Sequence, residues 1–239
     1  MKNHIPAGIF GRWIGLSLVM ATSGIQAQVV IEFDYTLDTG SFFTDASRRA
    51  VLTKAAQDLV SRLGDSLSAI TPGGGNTWSA TFNHPGSGTS TSVSDLTIST
   101  GVLKVYAGAY DISGSAIGVG GPGGFSASGT SGFLADVSKR GQTGAPADDF
   151  GRWGGSIAFD SLTTWYFDSD VSTSADLPSG SFDFYSVAIH ELGHLLGLGT
   201  AASWTGRVSG GQFTGAQSVA VHGGNVPLNA GGITGQKTR

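Results

Sequence analysis

The apolar and polar positions of this chain change period several times, and each change predicts an element. Val29-Val30-Ile31-Glu32-Phe33-Asp34-Tyr35 is β-branched and aromatic and reads as a strand. Val51, Ala55, Leu59, Leu63 and Leu67 then recur every four residues, one face of a helix, with Arg48, Arg49, Lys54 and Asp58 left for the wet side. Thr44 or Asp45 supplies the N-cap, and Thr71-Pro72-Gly73-Gly74-Gly75-Asn76 ends the segment. Strands are expected at 78–82, 93–99 and 102–110, separated by glycine and serine turns. Another follows at 154–160, before Trp165-Tyr166-Phe167-Asp168-Ser169-Asp170.

The last strongly periodic stretch combines a core face with chemistry. Tyr185, Ala188, Leu192, Leu195 and Leu196 cluster on one side of a predicted helix capped by Ser181 or Asp183. On the other side, His190 and His194 project ~40° apart at ~100° per residue, with Glu191 beside them. His190-Glu191-Leu192-Gly193-His194 fits H-E-x-x-H, in which two histidines four apart take a zinc ion and the glutamate serves as general base. Gly197 follows at the spacing of the longer pattern H-E-x-x-H-x-x-G-x-x-H. A third ligand would fall at position 200, which is Thr200, a poor zinc ligand.

The densest glycine stretch, Gly118-Val119-Gly120-Gly121-Pro122-Gly123-Gly124, lies between Gly114 and Gly144. A phosphate-binding loop would need a Lys-Ser/Thr ending and a strand-to-helix context that this segment lacks. Tight turns or a substrate-side loop are expected instead, anchored by burial of Phe125, Phe133 and Leu134. From Asp160 to Asp183 the chain carries five aspartates and no lysine or arginine. Calcium is carried as an alternative there, against the commoner use of aspartates as turn formers and caps.

Residues 1–27 have the pattern of an export signal. Lys2, His4 and Arg12 precede the apolar run from Trp13 to Met20, and Ala27 suits the cleavage position. That run is shorter than the ~20 residues needed to cross a bilayer, and no later segment could do so. The remainder, 28–239, is read as one domain of a secreted or periplasmic protein with no membrane contact after cleavage. Charged residues make up 13%, aromatics 10%, and net charge is −4, so a core can form and a nucleic-acid role has no electrostatic support. With no cysteine in the chain, any zinc must be held by nitrogen or oxygen.

These residues resemble the zincin metallopeptidases, and within them the metzincin clan. The order strand, long helix, several strands, H-E-x-x-H helix is similar to that clan's catalytic domain. Gly155 to Trp165, followed by Phe182 to His194, looks like the matrixin and serralysin-like branch. The resemblance implies an α+β fold with a twisted, mostly parallel sheet, a long backing helix and the H-E-x-x-H helix. It also implies a monomeric zinc endopeptidase acting on protein or peptide substrates, with a zinc-bound water and Glu191 as general base.

Several positions depart from the pattern. Ala158 stands where matrixins carry a histidine for a second, structural zinc, and Leu162 replaces an acidic calcium position. No methionine follows the helix to form the clan's Met-turn. Leishmanolysin-like metzincins supply the third histidine after an insertion, and Thr200 to Pro227 is similar to such an insertion. His222 is the remaining histidine after the motif and is the candidate third ligand, with a polar turn position as the alternative. His84, in Asn83-His84-Pro85, is expected to be a turn residue. The resemblance also suggests that the C-terminal part of the domain is incomplete. Two further functions stay open: a metal-binding member that does not catalyse, and a glycine-rich secreted structural protein.

Overall fold

The computed structural model describes residues 29–142, 151–168, 170, 171, 173 and 176–228. The export segment 1–27 and the chain end from 229 lie outside the described residues. The first elements are β1 (Val30–Asp34), α1 (Ala46–Val60), β2 (Thr77–Asn83), β3 (Ser90–Ser94) and β4 (Val102–Tyr110). They are followed by β5 (Gly118–Pro122), β6 (Gly124–Ser128), α2 (Ser131–Lys139) and β7 (Gly154–Asp160). Short strands β8 (Trp165–Tyr166) and β9 (Phe182–Asp183) then lead into α3 (Phe184–Leu195).

The central sheet has the order β1-β4-β7-β5. β1, β4 and β7 run parallel, with Val30 opposite Val102 and Lys104 opposite Gly154, and β5 closes one edge antiparallel to β7. The α+β class and the mostly parallel sheet therefore stand as expected. β4 and β7 are covered on both faces, which is why they read as continuous runs of small and apolar residues and not as an alternation. On one face, Val105, Ala107, Ile157 and Phe159 pack against α1 and α3 through Leu52, Ala55, Phe184, Ala188 and Leu192. On the other face, Tyr106 joins Trp78, Phe82, Phe133, Val137 and Trp153 beneath the antiparallel sheet β3-β2-β6 and α2.

Asp45 caps α1 by accepting from Ser47 N–H at 2.8 Å, but the helix stops at Val60. Leu63 and Leu67 keep the four-residue spacing because they bury with Val29, Val60 and Leu103 in irregular chain. The strand expected at 93–99 is Ser90–Ser94 instead. Asp95 breaks it in a left-handed conformation, its side chain accepting from Trp78 N–H, while Ile98 bridges to Ile70. The glycine-rich stretch holds β5, β6 and the whole of α2, not only tight turns or a loop. Phe133 is buried there as expected, whereas Leu134 is exposed.

After α3 the chain forms a small module of α4 (Ala202–Thr205), β10 (Val208–Ser209), β11 (Gln212–Phe213), α5 (Ala216–His222) and β12 (Val226–Pro227). Its antiparallel sheet is pinned by Trp204 stacked on Phe213 at 4.1 Å. Among the described residues no helix is long and apolar enough to cross a membrane.

Candidate metal centre and catalytic base

Of the two expected caps, Asp183 starts α3: its carboxylate accepts from Ser186 N–H at 3.1 Å and from the Ser186 hydroxyl. This satisfies one of the free N–H groups of the first turn. Phe184 is fully buried and holds the helix start in an aromatic cluster, 4.3 Å from Phe159 and 4.8 Å from Phe167 between ring centres. Ala188, Leu192 and Leu195 continue the buried face, and Tyr185 donates to Asp58 of α1 at 2.7 Å. The helix is thus fixed in rotation by its apolar side, and this leaves His190 and His194 half-buried at the edge of the sheet.

The two imidazoles meet with Nε2 atoms 3.1 Å apart and ring planes at 86°. A tetrahedral zinc with Zn–N bonds of ~2.0–2.1 Å holds two ring nitrogens roughly 3.4 Å apart, so this pair fits as two of its donors. His194 Nδ1 lies 2.8 Å from the Leu198 carbonyl oxygen. A carbonyl can only accept, so Nδ1 carries the proton and Nε2 keeps its lone pair, the tautomer that a metal requires. The turn that delivers this carbonyl needs Gly197 and Gly199, both left-handed at φ 100° and 77°, and is held by Leu198 N–H donating to Gly193 at 2.9 Å. Burial, then the neighbouring His194, holds the His190 imidazole below its ordinary value, which favours the neutral form.

Glu191 is only 7% exposed, wedged between α3 and β5. Burial pushes its carboxyl up to about 7, against the opposing pull of His194 and of a hydrogen bond from the Gly120 N–H. A carboxyl that exchanges its proton near neutral pH, beside two imidazoles whose spacing fits a zinc ion, has the proton affinity that a general base needs.

Thr200, at the position where the longer pattern places a ligand, does a different job. Its hydroxyl donates to the His194 carbonyl at 2.7 Å and closes the end of the helix. His222 sits at the end of α5, exposed, with Nδ1 3.2 Å from the Gly224 carbonyl. Among the described residues, no group of three or more His, Asp or Glu side chains is gathered as a metal site requires, so His222 does not join the pair here. The same holds for the aspartates between Asp160 and Asp183 as a calcium site. His84 is a turn residue, its Nδ1 accepting from Gly86 N–H at 3.1 Å.

Two contributors had no motif to announce them: the Leu198 carbonyl and the glycines at 118 and 120 that face Glu191. The available signal was the alternation of those glycines, which is the period of a strand with one bare face.

Residues 126–205, from β6 through α4, match the family model described as Matrixin. That family is zinc-dependent, and the match supports a peptidase of matrixin-like type. No curated protein and no solved structure matches the chain.

Proposed function

We propose that this chain is a secreted or periplasmic, monomeric zinc endopeptidase of matrixin-like type that cleaves protein or peptide substrates. The observation that carries the reading is the convergence of the His190 and His194 Nε2 atoms, one tautomer already set by Leu198, beside a buried Glu191. His190 and His194 would hold the ion, and His222 remains the candidate for a third position. When bound, zinc would supply a Lewis acid that polarises the scissile carbonyl and acidifies water towards a pKa of ~7. Glu191 takes the proton of the attacking water and passes it to the leaving amine. β5 is one of the two edge strands of the sheet and lies against Glu191, so an extended peptide pairing with that edge brings its backbone to the base.

A second reading, metal binding without catalysis, is favoured by one observation: Thr200 caps the helix and the described residues gather two imidazoles only. One set of experiments separates the two. The peptidase reading expects one zinc per chain and casein cleavage abolished by a chelator, with His190→Ala and His194→Ala each losing zinc. Tight zinc binding without any cleavage would establish the second reading. His222→Ala with wild-type zinc affinity would remove His222 from the ligand set.

A further inference from the structure

We propose that Gly118 and Gly120 are positioning residues for Glu191, their missing side chains forming the slot in which the carboxylate arm lies. The role of Glu191 as base rests on the peptidase reading above; the slot itself does not.

Most glycines that bracket turns in this chain have a left-handed backbone, for which the residue type is explained by conformation. Gly118 and Gly120 do not, so conformation is not the reason for glycine at these positions. Space is. A Cβ at Gly118 would sit 2.9 Å from Glu191 Cγ, 2.9 Å from Val187 Cγ1 and 3.0 Å from Glu191 Oε1. A Cβ at Gly120 would sit 2.5 Å from the Glu191 carbonyl oxygen and 2.8 Å from its Cβ. Carbon atoms in contact prefer about 3.5–4.0 Å, so neither methyl fits unless something moves. The two clashes differ in kind. At Gly120 the obstacle includes helix backbone, and relief means moving α3 away from β5. At Gly118 it is the outer half of the Glu191 arm together with Val187, and the cheaper relief is to swing the carboxylate out of the slot. Gly121, one residue on, has nothing within 4 Å of an added Cβ. Within β5, glycine is therefore sterically required at 118 and 120, where the glutamate lies, and not at 121; the close approach also brings the Gly120 N–H onto the carboxylate.

Carbodiimide and amine labelling of the full-length protein, mapped by mass spectrometry, reads the slot directly. Glu32 is the other glutamate of the chain and, with its side chain 57% exposed, serves as internal standard. Glu191 should be protected in wild type and in Gly121→Ala, and labelled at a rate approaching that of Glu32 in Gly118→Ala. Zinc affinity should stay at the wild-type level in Gly118→Ala, because no ligand moves. In the peptidase assay kcat should fall by roughly 10²-fold, the scale of a 1 Å misplacement, while KM is retained. Glu191 equally protected in Gly118→Ala and Gly121→Ala would overturn the proposal. Should Gly118→Ala fail to fold, Gly118→Ala/Val187→Ala relieves the second contact and gives the same reading. Altered labelling in a protein that cleaves nothing even as wild type would sink the peptidase reading and leave the slot standing.

Discussion

Replacing Glu191 by Gln should stabilise the metal-free protein above neutral pH and, on the peptidase reading, sharply lower cleavage. The carboxyl is 7% exposed and takes up its proton at about 7 in the folded chain, against 4.5 when unfolded. The folded state therefore binds more protons than the unfolded state between those two values, and stability falls as pH rises. The contribution is fully present below pH 4.5 and lost by the time pH has passed 7. At ~1.4 kcal/mol per pH unit, the loss amounts to about 3 kcal/mol. That is a large part of the ~5–15 kcal/mol by which a domain is stable. A glutamine keeps the shape and an acceptor for the Gly120 N–H but has no charge to desolvate. Denaturant unfolding in the presence of a chelator, at pH 4.5 and at pH 8, should show the variant gaining up to about 3 kcal/mol on wild type at the higher pH and little at the lower. Titrating groups that do not interact with Glu191 are common to both proteins and cancel in the difference, and the opposing pull of His194 only reduces it. Peptidase activity of the zinc-loaded variant should fall by ~10²-fold or more with zinc affinity unchanged. Parallel stability profiles for the two proteins would refute the claim that the base is held desolvated, and retained activity would refute its role.

Two further outcomes follow from the same geometry. Thr200→His should not raise zinc affinity, although it restores the residue expected from the longer motif, because this side chain is directed at the His194 carbonyl; zinc titration checks this, and tighter binding than wild type would show the position to be ligand-competent. Asp160 is 8% exposed and accepts from Ile112 N–H at 3.0 Å and the Thr163 hydroxyl at 2.6 Å. Burial alone pushes its carboxyl up, but these hydrogen bonds outweigh burial and hold it below its ordinary value. Their stabilisation is present above the unfolded carboxylate value of about 4 and is lost as pH falls through the lower folded value. Asp160→Ala should cost about 2–3 kcal/mol at neutral pH and flatten the acid side of the stability profile; a cost under about 0.5 kcal/mol would exclude this anchoring role.

The elements legible in the chain were those whose signal is local. The ligand helix announces itself through an apolar stripe, a capping aspartate and two histidines one turn apart, all within about a dozen residues. β4 and β7 keep their expected bounds because burial on both faces imposes a continuous run of small and apolar residues, ended by glycine or aspartate. The length of α1 was not legible, since Leu63 and Leu67 bury at helical spacing without being helical. Neither was β3, whose end is set by Asp95 reaching across to Trp78.

The chemistry of the site divides in the same way. Residue identity at 190, 191 and 194 was enough to imply two imidazole donors and a base, because helical geometry alone puts those side chains together. The protonation states behind that chemistry were decided by tertiary structure. The Leu198 carbonyl selects the tautomer of His194 only because two left-handed glycines turn the chain back onto the helix. Glu191 acquires its raised proton affinity only because a strand some seventy residues earlier, read from the sequence as tight turns or a substrate-side loop, lies bare-faced against it. A glycine dictated by its own backbone angle can be recognised from turn chemistry. One dictated by the atom that comes to rest beside it cannot, since that atom belongs to a distant part of the chain.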